Sequence, residues 1–170
     1  MSYTNGLDNP ELYFQTKLYT GNGGTQSITF DGSENMQPDW VWVKDRGRAG
    51  YNHIANDSVR GVTKYLRPNL NNSEATLSDA ITSFDSDGFT LGSDASNGEH
   101  NISSQTYVAW NWKAGGSASS NSDGSITSSV SANTTAGFSI VSYTGTGSNA
   151  TVGHGLSSAP SMIIFKARGT

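Results

Sequence analysis

The segment WVWVK (residues 40–44) decides the fold of this chain. Side chains alternate between the two faces of a β-strand, so Trp40 and Trp42 point to one side and the intervening valines to the other. Because both sets are apolar, we expect this strand to be covered on both faces. The other two of the four tryptophans lie in a second segment of this kind, WNWK (110–113).

Short segments of the same β character recur along the whole chain. They are rich in β-branched and aromatic residues, and clusters of Gly, Asn, Asp and Ser bound them. The predicted strands are residues 25–30, 39–44, 80–84, 89–92, 106–114, 137–144 and 161–166. Many short strands without alternating helices predict an all-β fold, an antiparallel sandwich or barrel.

Two further segments carry local signals. Asp85 to Gly88, between two predicted strands, predict a hairpin turn in which Gly88 adopts a positive φ. Residues 71–81 have a weak helical pattern, although their Ser and Asn content disfavours a helix. Neither segment changes the predicted all-β class.

Composition disfavours several classes of partner. The net charge is -4 and the few Lys and Arg residues are scattered, so we expect no nucleic-acid surface. The absence of Cys excludes a disulfide framework and a thiolate metal site. No apolar stretch approaches the roughly 20 residues that cross a bilayer, so we expect no membrane insertion. Residues 1–10 lack the basic segment and apolar run of a signal peptide.

Motifs for catalysis are missing from the sequence. No nucleophile elbow, H-E-x-x-H motif or phosphate-binding loop is present. Asp85 and Asp87 are more typical of a turn than of a calcium site, because the EF-hand pattern stops after Gly88. The three histidines lie far apart among Gly, Asn or Ser, and each is expected in a loop: His53, His100 and His154. We therefore expect no enzyme, no catalytic residues, no cofactor and no metal.

An internal repeat relates residues 13–47 to residues 137–169. Both copies have an aromatic strand, a Tyr-Thr-Gly turn, a variable loop, a proline, an apolar strand and a Lys-x-Arg-Gly exit. The matching pairs are Phe14 and Phe138, Tyr19 and Tyr143, Pro38 and Pro160, Lys44 and Lys166, and Arg46 and Arg168. The offset falls from 124 to 122 across the Gly-rich turn, which is a length difference within a loop.

The repeat predicts how the chain is divided. We expect an arm at 1–10, a sandwich unit at 11–115, a joint rich in Gly, Ser and Asn at 116–136, and an incomplete second unit at 137–170. The segment DGSITSSV within the joint is expected to form a small strand. A partial sandwich cannot bury its inner face or pair its edges alone. We therefore favour a fragment of a longer tandem protein over completion of the second unit by another chain.

The second copy also bears on the role of the first tryptophan pair. Met162 and Ile164 stand at the positions of Trp40 and Trp42. A sugar-stacking platform needs flat aromatic faces, which aliphatic side chains cannot supply. We therefore favour a core or interface position for both tryptophans over a surface platform.

The second tryptophan pair is assigned to the core from its own alternation. Trp110 and Trp112 share a face with Val108 and Ala114, which predicts the inner face of a sheet. The predicted outer face carries Tyr107, Ala109, Asn111 and Lys113. All four tryptophans are thus predicted to be core or interface aromatics.

Taken together, these motifs resemble a tandem-repeat family of tailed phages, especially phages of marine bacteria. The resemblance rests on LYTGNG, QPDWVWVKDR, ITSFDSDGFTLGSD, TYVAWNWKAGG and GFSIVSYTGTG, and it covers the chain from about residue 8. The family has concanavalin A-like or laminin G-like jelly-roll modules. The resemblance implies a virion structural protein of a tail fibre, located in the virion, homotrimeric, and partnered by other virion proteins such as a tail adaptor or nozzle.

The same resemblance implies a direction along the fibre. The N-terminal end of a phage fibre generally docks to the particle, so residues 1–10 are predicted to anchor the chain, and the anchoring residues are Tyr3, Leu7, Asp8 and Pro10. Host surface glycans would be contacted through C-terminal parts beyond this chain. Three alternatives stay open: a capsid-decorating head fibre, a carbohydrate-binding lectin-like module using exposed tyrosines among Tyr51, Tyr65 and Tyr107, and a glycan-cleaving enzyme.

Overall fold

The computed structural model describes residues 9–95 and 97–169. Within these residues the chain forms a 3-10 helix at Pro10–Leu12 and twelve strands. The strands are β1 Phe14–Thr20, β2 Gln26–Ile28, β3 Trp40–Asp45, β4 His53–Asp57, β5 Lys64–Leu66, β6 Ala75–Thr76, β7 Ile81–Asp85, β8 Gly88–Leu91, β9 Thr106–Trp112, β10 Ser119–Asn121, β11 Ser128–Asn133 and β12 Phe138–Tyr143.

These strands form three antiparallel sheets in the described part of the chain. The large sheet has the order β1-β9-β3-β4-β5-β6, and the small sheet has the order β2-β8-β7. A joint sheet, β10-β11-β12, follows the first two in sequence. The large and small sheets pack face to face around one apolar core, so the predicted all-β antiparallel sandwich is confirmed.

The core lies between the large and small sheets. Val41 and Val43 of β3 are 0% exposed, and they share one buried cluster with Phe89 and Leu91 of β8. The valine side of WVWVK is therefore the inner side of the sandwich. The tryptophans point the other way, onto the outer face of the large sheet.

Strand β9 is oriented opposite to the prediction. Tyr107, Ala109 and Asn111 are fully buried on the inner face, whereas Trp110 and Trp112 are only partly buried on the outer face. The Asn111 side chain donates to the carbonyl oxygens of Gln15 and Ala109 at 3.0 and 3.1 Å. These hydrogen bonds satisfy both N–H groups of its amide, which offsets part of the cost of turning this polar side chain to the core, although its Oδ1 atom has no partner there.

Two local predictions meet different outcomes. The turn between β7 and β8 forms as expected, with Gly88 at a φ of 109°. The weak helical pattern at 71–81 is wrong, because this segment contains β6, which pairs with β5. The Ser and Asn residues of segment 71–81 favour extended and turn conformations over a helix.

The predicted strand at 161–166 is also absent from the described structure. Its counterpart, β3, is held by hydrogen bonding to a strand on each side, β4 and β9. No strand lies beside 161–166 in the described part of the chain, so no ladder of backbone hydrogen bonds can form. The counterpart of β1 does form a strand, β12, because β11 pairs with it.

The joint has regular secondary structure and is hydrogen-bonded to the end of the sandwich. The expected small strand forms as β11. The Ser131 hydroxyl accepts from Gly115 N–H at 2.9 Å and donates to the Gly116 carbonyl at 2.7 Å. The buried Asp39 carboxylate accepts from the N–H groups of Ala114 and Gly116 at 2.8 and 3.2 Å. The chain therefore leaves the sandwich along a fixed path.

Candidate functional site: the tryptophan face

The outer face of the large sheet carries all four tryptophans side by side, and we call Trp40, Trp42, Trp110 and Trp112 the tryptophan face. Strand register creates this arrangement, because Trp40 of β3 lies opposite Trp112 of β9, and Trp42 lies opposite Trp110. On the other side of β9, Phe14 of β1 lies opposite Trp112. Cross-strand aromatic neighbours of this kind are within contact distance.

The rings of the tryptophan face contact one another directly. The Trp40 and Trp112 rings stack with centroids 4.8 Å apart, and the Phe14 ring lies 4.8 Å from Trp112. Trp42 meets Trp110 edge to face at 6.3 Å. Each such pair contributes about 0.5–1.5 kcal/mol beyond the area that it buries. The face is therefore a continuous aromatic layer outside the core.

One half of this layer is covered by the second copy of the repeat. The Phe138 ring at the start of β12 stacks on Trp40 at 5.8 Å with an interplanar angle of 9°, and it lies 6.2 Å from Trp112 at 22°. The structure thus places Trp40 and Trp112 in an interface within the chain, between the large sheet and the joint sheet. They occupy neither the sandwich core nor a bare surface.

The other half of the layer lines an open cleft. Trp42, His53, Trp110 and Trp112 surround a shallow space of about 330 Å³. The Trp42 indole N–H donates to His53 Nδ1 at 3.0 Å, so the ring proton of a neutral His53 lies on Nε2. Burial, helped by the charge of Lys44, lowers the pKa of His53, which keeps this imidazole neutral near pH 7. The cleft therefore offers an almost wholly apolar surface formed by aromatic rings.

His53 was not recognised as part of this site from the sequence. It lies on β4, opposite Lys44 of β3, and not in a loop as expected. The alternation of HIAND (53–57) was the available signal, since a strand there places His53 on one face with Ala55. Gly50 and Asn52, which precede this segment, are typical of turns and therefore favour a loop at His53.

The remaining predicted site residues are distributed differently. Tyr3, Leu7 and Asp8 lie outside the described residues. Pro10 is exposed and opens the 3-10 helix, where the Asn9 side chain caps the N–H of Glu11 at 3.1 Å. Of the tyrosines considered for a lectin surface, Tyr65 and Tyr107 are buried. Tyr51 is partly exposed beneath the Arg48 guanidinium, 3.5 Å from its ring centre.

A buried polar cluster orders the loop between β8 and β9. Asp94, at a φ of 49°, accepts from the N–H groups of His100 and Asn101 at 2.6 and 3.1 Å. His100 lies in a loop, as expected, and is fully buried. The Tyr19 hydroxyl donates to the His100 carbonyl at 2.8 Å. These hydrogen bonds hold the loop against the sandwich.

The aspartates of the β7–β8 turn also have structural partners. The Asp85 carboxylate accepts from Ser83 and Thr90 hydroxyls at 2.7 Å each. The Asp87 carboxylate accepts from the N–H of Met36 at 3.3 Å. Their part in the turn is therefore to bind neighbouring chain segments. No group of three potential metal-ligating side chains occurs among the described residues.

The fold and the tryptophan face define a β-sandwich module with an aromatic outer surface, followed by the three-stranded joint sheet. The chain belongs to the family described as a domain of unknown function, DUF7483, whose model matches residues 9–170. No curated protein and no solved structure matches it. In residues 9–95 and 97–169, no helix has the length and apolar character to span a membrane.

Proposed function

We propose that this chain is a virion structural protein, the particle-proximal part of a phage tail fibre that carries a host-adhesion appendage. The observation that carries this proposal is the stacking of Phe138 on the tryptophan face. A fibre built from tandem modules must keep successive modules aligned, and a contact of stacked aromatic rings does so. The sequence resemblance to phage appendage proteins supports the same function.

Ion pairs reinforce the joint at a second point. Arg168, in the second copy, donates to the Glu74 carboxylate at 2.9 Å and to the Ser142 hydroxyl at 2.6 Å. Glu74 also pairs with Arg60 at 3.2 Å. Burial alone would raise the pKa of Glu74, but Arg168 and Arg60 outweigh it and lower the pKa. The carboxylate therefore stays charged and holds the two copies together.

The proposal assigns a direction and partners to the chain. Residues 1–10 dock to a tail adaptor or nozzle protein, and the side chains that make this contact are Tyr3, Leu7, Asp8 and Pro10. Three copies associate around the fibre axis, and the host-adhesion appendage contacts host glycans. The protein is made in the host cytoplasm and is released with the particle.

Imaging of assembled particles tests this function directly. An antibody fragment raised against residues 11–115 should label the base of the tail fibres in electron micrographs, and reconstruction there should give threefold symmetry. Labelling of the capsid would replace this function with that of a head fibre. Absence of the protein from purified particles would contradict both.

Deletion of residues 1–10 tests the anchoring part of the proposal separately. The deleted chain should fold, with a midpoint of unfolding lowered only slightly by the loss of the Asn9 cap, but should be missing from particles, because the docking segment is lost. A matched chain in which residues 1–10 keep their composition in scrambled order should also be missing. Normal incorporation of either chain would contradict the proposed anchor.

A second candidate function, carbohydrate binding, is favoured by the open cleft at Trp42 and Trp110. The partly exposed aromatic rings that line this cleft can stack on the apolar faces of sugar rings. A glycan array probed with the wild-type chain should then give a signal that Trp110→Ala abolishes and Tyr51→Ala retains. A folded Trp110→Ala chain with an unchanged signal would exclude this cleft as the sugar site.

A further inference from the structure

Two cationic side chains adjoin the open half of the tryptophan face. Lys44 follows Trp42 by two residues on β3, so the two side chains share the outer side of the large sheet. Arg46, two residues further on, continues the pairing of β3 with β9, because its N–H donates to the Thr106 carbonyl at 2.8 Å. Alternation therefore places Arg46 on the same outer side, and this residue is exposed. We call Lys44 and Arg46 the cation rim.

Strand pairing brings the cation rim to the mouth of the cleft. Lys44 lies opposite His53 of β4, and His53 lines the cleft. Burial, and second the charge of Lys44, lower the pKa of His53, in agreement with this proximity. On the other side of β3, Lys44 lies opposite Val108 of β9, two residues before Trp110. The rim and the aromatic rings therefore belong to one continuous surface.

The cation rim has no carboxylate partner within residues 9–95 and 97–169. The Lys44 ammonium group donates to the Asp45 carbonyl at 2.6 Å, which leaves two of its three N–H groups for a ligand. The Asp45 carboxylate is buried on the inner side of β3 and pairs with Arg48 at 2.6 Å. No ion pair of the described residues includes Lys44 or Arg46. Two positive charges therefore lie uncompensated on this surface.

The cleft and the cation rim offer different interactions to a ligand. The cleft is almost wholly apolar and is lined by aromatic rings, so it provides a stacking surface but almost no hydrogen-bonding group. The polar groups of a stacked sugar must therefore be recognised outside the cleft. Two residues along a strand span about 7 Å, so a carboxylate on the stacked sugar or on the next sugar of the chain can reach Lys44. Lysine and arginine form charge-assisted hydrogen bonds with carboxylates.

We infer that this surface binds an acidic glycan that contains uronic acid units, with one sugar ring on Trp42 and Trp110 and carboxylates on the cation rim. The inference rests on the second candidate function, carbohydrate binding, and names its ligand class. Charge complementarity carries it, since a chain with a net charge of -4 concentrates two unpaired cations beside its aromatic cleft. Single-stranded nucleic acid is a poorer ligand, because its binding needs a positively charged groove that follows the phosphate backbone.

Four uronate hexasaccharides test the inference, each paired with the same hexasaccharide after reduction of its carboxyl groups to alcohols. They contain galacturonate, mannuronate, guluronate, or glucuronate alternating with N-acetylglucosamine. In isothermal titration with the complete chain, at least one acidic form should bind. Its reduced form should bind about tenfold more weakly, because it keeps the sugar faces and loses the ion pairs. Raising the salt concentration from about 50 to about 500 mM should weaken binding of the acidic form alone.

Chain variants test the part played by the cation rim. Lys44→Gln and Arg46→Gln should each weaken binding of the acidic form about two- to fivefold, and the double variant about tenfold, because exposed ion pairs contribute modestly. Binding of the reduced form should not change. Lys113→Gln is the matched control, since it also removes one positive charge, but alternation places Lys113 with Asn111 on the inner side of the sheet. The midpoint of thermal unfolding of each variant separates loss of charge from loss of fold.

The outcomes distinguish this inference from the function on which it rests. A preference for an acidic form that the double variant loses supports the inference. A preference that survives in the double variant overturns it. Equal binding of acidic and reduced forms, lost in Trp110→Ala, overturns the acidic ligand and retains carbohydrate binding. Binding of none of the hexasaccharides also overturns the inference, whereas the glycan array still tests the candidate function. Tighter binding of an oligothymidylate, lost in the double variant, overturns the inference in favour of nucleic acid.

Discussion

Tyr107 is the residue at which the apolar core meets the polar loop between β8 and β9. Its ring stacks on Tyr19 with centroids 5.1 Å apart. Its hydroxyl accepts from the N–H of Ile102 at 3.0 Å and from Arg48 Nη2 at 3.3 Å. The ring thus fixes β9 in the core, and the hydroxyl orders the neighbouring loop. Both contacts depend on Tyr107 pointing inward.

Tyr107→Phe should lower the free energy of unfolding by about 1–3 kcal/mol, because the buried N–H of Ile102 loses its acceptor while the ring packing stays. Urea denaturation measures this change. Tyr51→Phe is the control and should change the free energy by less than about 0.5 kcal/mol, since Tyr51 is partly exposed and keeps its ring beneath Arg48. Equal effects of the two substitutions would contradict the buried role of the Tyr107 hydroxyl.

At this scale the sequence predicts which side chains share a face better than which face is buried. Alternation places Trp40 with Trp42 and Val41 with Val43, and the structure agrees. For β9 the polar groups of Tyr107 and Asn111 suggest an outer face, although the Tyr107 hydroxyl and the amide N–H groups of Asn111 form hydrogen bonds inside the protein. Those hydrogen bonds depend on how the chain packs, so polarity alone does not reveal them.

The turn between β7 and β8 shows how one residue position determines an element. Gly88 has a φ of 109°, and a Cβ added there would lie 1.9 Å from the Ile28 carbonyl oxygen. Gly50 also has a positive φ, of 80°, but nothing lies within 4 Å of its added Cβ. A side chain at either position would strain the backbone. Only a side chain at Gly88 would also collide with β2.

Gly88→Ala should therefore destabilise the protein more than Gly50→Ala. Positive φ alone costs an alanine about 1–2 kcal/mol, which both variants share. The Gly88 variant must in addition separate β8 from β2, so its loss should be larger by about 1 kcal/mol or more. Chemical denaturation of both variants gives the comparison. Equal losses would show that the contact with Ile28 is not rigid.

Elements formed by local patterns were predictable, and elements that need distant partners were less so. Strands β3, β7, β8, β9 and β12 follow from β-branched and aromatic residues bounded by turns. Residues 161–166 have the same composition, but no strand pairs with them in the described chain. Composition therefore predicts the capacity to form a strand, whereas pairing decides whether the strand forms. The open cleft at Trp42 depends on register across three strands, which composition does not contain.

For the whole molecule, buried carboxylates should make stability fall in acid. Burial alone would raise the pKa of Glu99, but Arg67, Asn52 and Asn97 outweigh it and lower the pKa below its ordinary value of 4.5. Burial alone would also raise the pKa of Asp94. Hydrogen bonds from His100 and Asn101 outweigh this effect and lower the pKa below its ordinary value of 3.8. In each case the unfolded chain binds protons more readily than the folded chain.

The free energy of unfolding should therefore be highest above the ordinary carboxyl pKa values and should decrease as the pH falls from about 5 through the lower folded-state pKa values. Denaturation curves recorded across this pH range measure how steeply the free energy of unfolding changes with pH, which is the slope compared below. Glu99→Gln should reduce the slope, because one group with a lowered pKa is removed. Asp123→Asn, in a more exposed hydrogen-bonded turn, serves as the control. An unchanged slope in Glu99→Gln would contradict the assigned pKa shift.

The central claim for the whole molecule is that Phe138 joins the second copy rigidly to the tryptophan face. Nuclear magnetic resonance relaxation of backbone amides measures this most directly, by comparing rotational correlation times of residues 11–115 and 119–155. The wild-type chain should give one common value, and so should Phe165→Ala, which alters an exposed ring. Phe138→Ala should give two different values, because the stack on Trp40 and Trp112 is lost. Two different values in the wild-type chain, or one common value in Phe138→Ala, would contradict the claim.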